Sequence, residues 1–290
     1  MLDRSKVQFS RDSQFGYVYA TTKFVQIILK SVLFRLTGKT LADPISKTQL
    51  RISKYLFKLF DGQVKYGPFQ GLRMTWDSSW GSNSRCTMLL GIYESELLTV
   101  LKRVSKHYRY FIDIGAADGY YAVGVLVGNL FEKTYCFEAS VKGRKIIERN
   151  ANLNDVSERI SISGPAVGDF FNQIQPEVRS NAVLLIDIEG GEFEMLSSQF
   201  FEAFNSSVIL VEIHDWMVSD SELKLENLKL QAQDYFEIKE LKTAERNPGA
   251  FKELVNMTDS ERWIACSEGR DKLQSWWLLI PRSSEDLLNN

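Results

Sequence analysis

Histidine, cysteine and proline are scarce in this chain, which has two, three and six of them among 290 residues. The cysteines are odd in number and lie far apart, at Cys86, Cys136 and Cys266. This pattern predicts neither a disulfide framework nor a paired-cysteine metal site. A hydrophobic content of 44% with 25% charged residues excludes a disordered chain. We therefore expect an ordinary globular protein of a reducing compartment.

Long apolar runs are also absent. The longest, from Phe24 to Leu36, is interrupted by Gln26, Lys30 and Arg35, so it does not fit a membrane span. The N-terminus lacks the basic-then-apolar layout of a signal peptide. These features predict a cytoplasmic protein.

Acidic residues are nearly missing from the first sixty positions, where seven lysines and four arginines stand against three aspartates. This is a net charge of +8, whereas the whole chain carries −2. A helix over residues 47–60 would separate apolar residues, such as Ile52 and Leu56, from a basic face. The basic residues are Lys47, Arg51, Lys54 and Lys58. Packing of the apolar face on the protein or on a second copy is the preferred interpretation. The alternative is peripheral docking on an anionic membrane or an acidic glycan. We predict a basic helical extension over 1–62 and a main domain over 63–290.

The stretch from Tyr108 to Val125 reads YRYFIDIGAADGYYAVGV and predicts a buried strand, a glycine turn and a helix. The turn lacks the G-x-G-x-x-G spacing of dinucleotide-binding folds. Its pattern is instead Asp113-x-Gly115-x-Ala117-x-Gly119. That pattern is similar to the first motif of S-adenosylmethionine (SAM) methyltransferases, in which the acid would be an indirect partner of the cofactor's ammonium group. A nucleotide fold with an unusual turn is the alternative.

Strands and helices alternate after this motif, which predicts a parallel sheet. The second strand, 134–137, ends in Glu138, twenty-five positions past Asp113. An acid at that place in a doubly wound fold suits a ribose diol. The third strand, 160–163, leads into a small loop in which Ala166 and Val167 are expected against an adenine ring.

Acidic side chains follow the next two strands. The fourth strand begins at Ala182 and runs into Asp187, Glu189, Glu192 and Glu194, and the fifth begins at Ser207 and ends in Glu212, His214 and Asp215. Ligands of open α/β sheets bind at such strand ends. We predict His214 as a general base, oriented by Glu189 and Asp187. In the alternative, the carboxylates hold Mg²⁺.

Other elements are predicted less specifically. We expect a hairpin over 64–74, a helix over 89–101 with Tyr93 and Glu94 at its start, and a final hairpin of strands 234–241 and 275–280. The polar and aromatic loop over 76–86 either faces the substrate or caps the sheet.

From Gly67 to Pro281 the chain resembles the FkbM-type SAM-dependent methyltransferases. The matching motifs, in order, are GPFQGL, LGIYE, DIGAADGYY, FEA, NANLN, AVGD, IDIEGGEFEML and VEIH. The chain departs from the family at Ala117, where Asn is common, at Asp118, a hydrophobic or variable position, and at Gly191, where Ala is usual. The change at Asp118 is expected to affect contacts near the ribose.

The resemblance implies a doubly wound, seven-stranded, mostly parallel sheet with its last strand antiparallel, the Rossmann-like fold of class I methyltransferases. It implies SAM as cofactor and O-methylation of a hydroxyl-bearing acceptor such as a sugar, a glycan or a natural product, and no nucleic-acid partner. Two alternatives are a catalytically inactive binding or scaffold protein, favoured by Ala117, and a nicotinamide-dependent oxidoreductase, opposed by the missing glycine motif. The predicted cofactor site comprises Glu94, Asp113, Gly115, Ala116, Ala117, Asp118, Gly119, Tyr120, Glu138, Ala139, Ala166, Val167 and Asp187.

Overall fold

The computed structural model describes residues 44–81, 84–270 and 272–284. Most of the predicted basic extension, residues 1–43, lies outside the described residues. By its contacts the chain divides into Met1–Lys47 and Thr48–Asn290. The described part of the first unit is only the beginning of one helix, so the account below concerns the second unit.

A seven-stranded sheet forms the centre of this unit, in the order β3-β2-β1-β4-β5-β7-β6. β7 pairs antiparallel with both β5 and β6, and the other pairs are parallel. The predicted doubly wound sheet with an antiparallel last strand is thereby confirmed. The strands are β1 Tyr110–Ile114, β2 Lys133–Phe137, β3 Ile160–Ser163, β4 Ala182–Ile186, β5 Val208–Glu212, β6 Phe236–Lys242 and β7 Ser275–Pro281.

Helices cover both faces of the sheet. Alternate residues of β1 enter two different cores, Phe111 on one face and Ile112 on the other, as expected for a central strand. None of the described helices has the length and apolar character needed to cross a bilayer. The helices are α1 Pro44–Leu59, α2 Arg85–Leu89, α3 Ser95–Val104, α4 Tyr120–Val127, α5 Val141–Leu153, α6 Pro176–Arg179, α7 Glu192–Met195, α8 Ser198–Ala203, α9 Ser221–Ala232 and α10 Asp259–Cys266.

From Thr48 on, helix α1 packs on the rest of the second unit through its apolar face. Ile52 and Leu56 are fully buried, and the Ser53 hydroxyl accepts a hydrogen bond from the Cys86 backbone N–H at 2.9 Å. Arg51 pairs with Glu261 at the first turn of α10. The preferred interpretation, packing on the protein, is therefore confirmed for the residues from Thr48 on. The second unit begins within this helix, at Thr48.

One of three local predictions is corrected by the structure. The helix expected over 89–101 is interrupted, because α2 ends at Leu89 and α3 begins at Ser95. The turn between them needs Gly91, whose φ is 68° and whose added Cβ would lie 1.9 Å from the Tyr66 carbonyl oxygen. The hairpin over 64–74 is present but short. One bridge, between Gln63 and Arg73, is flanked by hydrogen bonds from the Val64 N–H to the Leu72 carbonyl and from the Met74 N–H to the Gly62 carbonyl. The final hairpin is confirmed, since β6 and β7 pair antiparallel, and α10 lies in the polar segment between them.

Candidate functional site

A cavity of about 610 Å³ opens beyond the carboxyl ends of β1, β2, β4 and β5. All three predicted catalytic residues line it: Asp187, Glu189 and His214. Of the predicted cofactor residues, Gly119 and Val167 are not among the lining residues: Gly119 precedes α4, and Val167 is 69% exposed. The predicted cofactor residues in the lining are Glu94, Asp113, Gly115, Ala116, Ala117, Asp118, Tyr120, Glu138, Ala139, Ala166 and Asp187.

The glycine turn after β1 brings two strand ends into close contact. Gly115 has a φ of 90°, and a Cβ added there would lie 1.8 Å from the Asp187 carbonyl oxygen. Ala117 also has a positive φ, 48°, and its N–H donates to Glu138 at 2.7 Å. Alanine at this position therefore preserves the turn, at the modest strain of a left-handed non-glycine residue.

Glu138 presents its carboxylate to the cavity in a fixed orientation. One oxygen accepts from the Ala117 N–H, and the other accepts from the Ser140 N–H at 2.6 Å. Ser140 is also the N-cap of α5. Two backbone donors thus hold the carboxylate, while its remaining lone pairs stay available for a ligand diol.

Asp113 is nearly fully buried in β1, and its Oδ2 atom has no hydrogen-bond partner among the residues that the structure describes. Burial raises the pKa of Asp113 to about 7, and the charge of Glu138 acts in the same direction. A hydrogen bond from the Ala122 N–H acts in the opposite direction but is outweighed. The hydrogen bond from the Ala122 N–H places the carboxyl group at the N-terminal turn of α4. This position fits the predicted indirect role better than direct ligand contact.

Asp118, expected near the ribose, is held on the protein side. Its carboxylate forms a buried ion pair with Arg85 at 3.3 Å and accepts hydrogen bonds from the Ser79 N–H and hydroxyl, at 2.8 and 2.7 Å. The contacts with Ser79 fix part of the loop over 76–86, for which the sequence allowed two roles, facing the substrate or capping the sheet. Ser79 and Trp80 of that loop line the cavity, so this part of the loop faces the site.

A cluster of carboxylates surrounds Arg270 at the base of the cavity. The guanidinium donates to Glu212 at 2.7 Å and to Glu268 at 2.9 Å, and it also contacts Glu94. Glu94 accepts from the Tyr121 hydroxyl at 2.7 Å. Burial and the charges of Glu212 and Glu268 raise the pKa of Glu94 to about 8, although Arg270 acts in the opposite direction. The sequence analysis missed Arg270, since no motif marks it.

His214 follows β5, and its side chain is 3% exposed. Its Nδ1 lies 3.2 Å from Oε1 of Glu192, and the same oxygen accepts from the His214 backbone N–H at 2.8 Å. Nε2 faces the predicted orienting residues at longer range, 3.6 Å from Glu189 and 3.8 Å from Asp187. The carboxylate within hydrogen-bond distance is thus Glu192, which was recognised in the sequence only as one of four acids after β4.

The protonation of this group follows from its neighbours. Burial opposes the charged imidazolium, but the Glu192 hydrogen bond and the charge of Glu212 outweigh it and raise the pKa of His214. The pKa of Asp187 lies well above its usual range because the group is enclosed and faces Glu212 and Glu94. The acids in front of Nε2 therefore share a strongly anionic environment.

A divalent cation is the alternative occupant of this place. Asp187, Glu212 and His214 can each offer one ligand atom, with all three atoms within 4.8 Å of one another. However, Arg270 already donates to Oε1 of Glu212, the oxygen that lies 3.7 Å from Nε2. A guanidinium at this oxygen disfavours a second positive charge beside it.

Comparison with known proteins finds no matching family model and no significantly similar curated protein. Solved structures do resemble the chain. The human methyltransferase 10 domain containing protein has a TM-score of 0.50 at 12% identity, covering 81% of this chain and 96% of its own. The O-methyltransferase TomG from Streptomyces achromogenes has a TM-score of 0.45 at 10% identity, covering 87% and 95%. The O-methyltransferase from Bacillus cereus has a TM-score of 0.44 at 12% identity, covering 87% and 97%. At 12% identity, the likeness to the human protein shows a shared fold and nothing more.

Proposed function

We propose that the protein is a SAM-dependent methyltransferase of the FkbM type that methylates a hydroxyl oxygen, most readily on a sugar or glycan. The observation that carries this proposal is the convergence of the Asp113–Gly119 turn, Glu138 and His214 on one cavity. The turn and the acid after β2 are the parts that a SAM-binding fold needs at this switch point of the sheet. His214, the proposed proton acceptor, follows the end of β5 at the same cavity.

SAM fits the groups that line the cavity. A volume of about 610 Å³ lies in the range of cofactor pockets. The fixed carboxylate of Glu138 suits the ribose hydroxyls, and Pro165 and Ala166 offer an apolar surface for the adenine ring. The acids around Asp187 suit the positively charged methionine end, because opposite charges attract strongly where water is excluded. When bound, SAM supplies an electrophilic methyl carbon on its sulfonium.

The chain's own residues then have to align the acceptor and remove its proton. In the neutral form of His214, Nε2 faces the cavity, has no hydrogen bond to any described residue, and can take the hydroxyl proton. Trp80 and Trp216 line the same cavity and offer flat walls for a ring-shaped acceptor. Glu189, whose side chain is 74% exposed, stands at the entrance side.

The inactive scaffold remains the second candidate, since Ala117 replaces the common Asn of the family. The hydrogen bond from the Ala117 N–H to Glu138 argues against it, because the turn retains its contact with the ribose-binding acid. The nicotinamide alternative has no such support, since the turn keeps its non-dinucleotide spacing.

The test is transfer of label from methyl-labelled SAM to fractionated glycans, lipids, proteins and small molecules. We expect label in a glycan or sugar fraction. His214→Ala should leave SAM affinity within twofold while it lowers turnover roughly 10²–10⁴-fold. The control is His107→Ala, because His107 is the other histidine and is exposed.

Two results would contradict parts of the proposal. Absence of label in every fraction, with SAM bound, would favour the scaffold. Loss of activity with a chelator and its return with Mg²⁺ would replace the base by the metal alternative.

A further inference from the structure

Four carboxylates face the ring of His214, but they face different nitrogens. Glu189, Glu212 and Asp187 lie 3.6, 3.7 and 3.8 Å from Nε2. Glu192 lies 3.2 Å from Nδ1. The first three distances are beyond hydrogen-bond length, whereas the last allows a hydrogen bond. The ring is therefore anchored through Nδ1.

Glu192 is itself fixed and ionised. It is fully buried, its Oε1 accepts from the His214 backbone N–H at 2.8 Å, and its Oε2 accepts from the Gly190 N–H at 2.8 Å. Although burial opposes its charge, the hydrogen bonds with His214 lower the pKa of Glu192. An ionised carboxylate only accepts hydrogen bonds. In the neutral imidazole, the proton must then lie on Nδ1.

We propose that Glu192 is the positioning residue of the site: by holding the Nδ1 proton, it leaves the lone pair of Nε2 directed into the cavity. This inference rests on the proposed function, because it concerns the proton acceptor of that reaction. Without Glu192, the three acids opposite Nε2 would attract the ring proton to that nitrogen. The imidazole would then hold the wrong tautomer and could not accept a proton from the substrate.

The same contacts also shape the loop that follows β4. Glu189 has a φ of 52° and Gly190 a φ of 96°, and Glu192 closes this strained turn through the Gly190 N–H. One side chain therefore joins the ends of β4 and β5, from which the acids and the base project.

The direct test is ¹⁵N NMR of the wild-type protein with labelled histidine. The chain has two histidines, so His107→Gln assigns both sets of ring signals. In the neutral state we expect the signal of a protonated nitrogen at Nδ1 of His214 and that of an unprotonated nitrogen at Nε2. A proton on Nε2 of neutral His214 would overturn the proposal, whatever the activity of the protein.

Variants give the second arm. Glu192→Gln, whose amide can donate to Nδ1, should shift the neutral tautomer toward Nε2–H and lower kcat roughly 10²–10⁴-fold. SAM affinity should stay within twofold, and Glu192→Asp should restore part of kcat. The matched control is Glu194→Gln, an exposed acid of the same short helix, which should change neither tautomer nor kcat.

The outcomes separate the two proposals. A Glu192→Gln protein that keeps the wild-type tautomer and kcat would overturn the role of Glu192. A wild-type protein that binds no SAM would overturn the proposed function, while the ring signals of His214 would still decide whether Glu192 sets the tautomer.

Discussion

Replacing Asp113 with asparagine should change how the stability of the protein depends on pH. The side chain is 3% exposed, and within the described part of the chain its Oδ2 has no hydrogen-bond partner. Asparagine keeps the size of the group and an oxygen that can accept from the Ala122 N–H. It removes the charge that burial penalises.

The magnitude follows from the pKa difference. The carboxyl group titrates at 3.8 without perturbation and at about 7 in the folded protein. Between these pH values the folded state retains a proton that the unfolded state has released, so the free energy of unfolding falls as pH rises. Each pH unit within the window corresponds to about 1.4 kcal/mol. From pH 5 to pH 8, wild type should therefore lose on the order of 2.5 kcal/mol through this group.

The asparagine variant should lack this loss. Urea denaturation at pH 5 and pH 8 gives the free energy of unfolding for wild type, Asp113→Asn and a control, Asp234→Asn, in which an exposed carboxyl is changed. We expect Asp113→Asn to gain roughly 2.5 kcal/mol relative to wild type between the two pH values, and the control to follow wild type. Equal pH dependence of all three proteins would refute the assignment of a buried, proton-binding Asp113.

Two further substitutions test the packing of the site. Gly115→Ala should lower the free energy of unfolding by on the order of 3 kcal/mol and weaken SAM binding, because its Cβ would overlap the Asp187 carbonyl oxygen. The control is Gly164→Ala, since none of the described atoms lies within 4 Å of the Cβ added there. An equal effect of the two substitutions would contradict the argument. Arg270→Met should lower the free energy of unfolding by roughly 3 kcal/mol at pH 8 and by less at pH 5. The reason is its carboxylate partner Glu94, whose pKa burial raises to about 8, so that this partner is protonated at the lower pH. A pH-independent loss, measured by urea denaturation, would contradict that explanation.

The sheet and the positions of its strand ends could be predicted because they depend on short-range patterns. The apolar run before Gly115 identifies a central strand, and alternating strands and helices imply a parallel sheet. Since the carboxyl ends of parallel strands share one edge, Glu138 and His214 could be assigned to one site from their places in the sequence.

The contacts within the site depend on side-chain directions that sequence patterns do not contain. Glu192 and Glu194 lie two positions apart in the same acidic stretch, yet α7 begins at Glu192, turns it inward and leaves Glu194 exposed. Arg270 meets Glu94 across 176 positions of the chain, so no local motif marks the pair. Val167 is exposed, whereas its neighbours Pro165 and Ala166 line the cavity.

Calorimetric titration with SAM tests the central claim most directly. The wild-type protein should bind one SAM per chain, and Glu138→Ala should bind it roughly ten- to a hundredfold more weakly, the loss expected for about 1.5–3 kcal/mol of charge-assisted hydrogen bonding. Glu158→Ala, which changes an exposed acid before β3, should bind like wild type. No binding of SAM to wild type, or equal affinity of wild type and Glu138→Ala, would contradict the account.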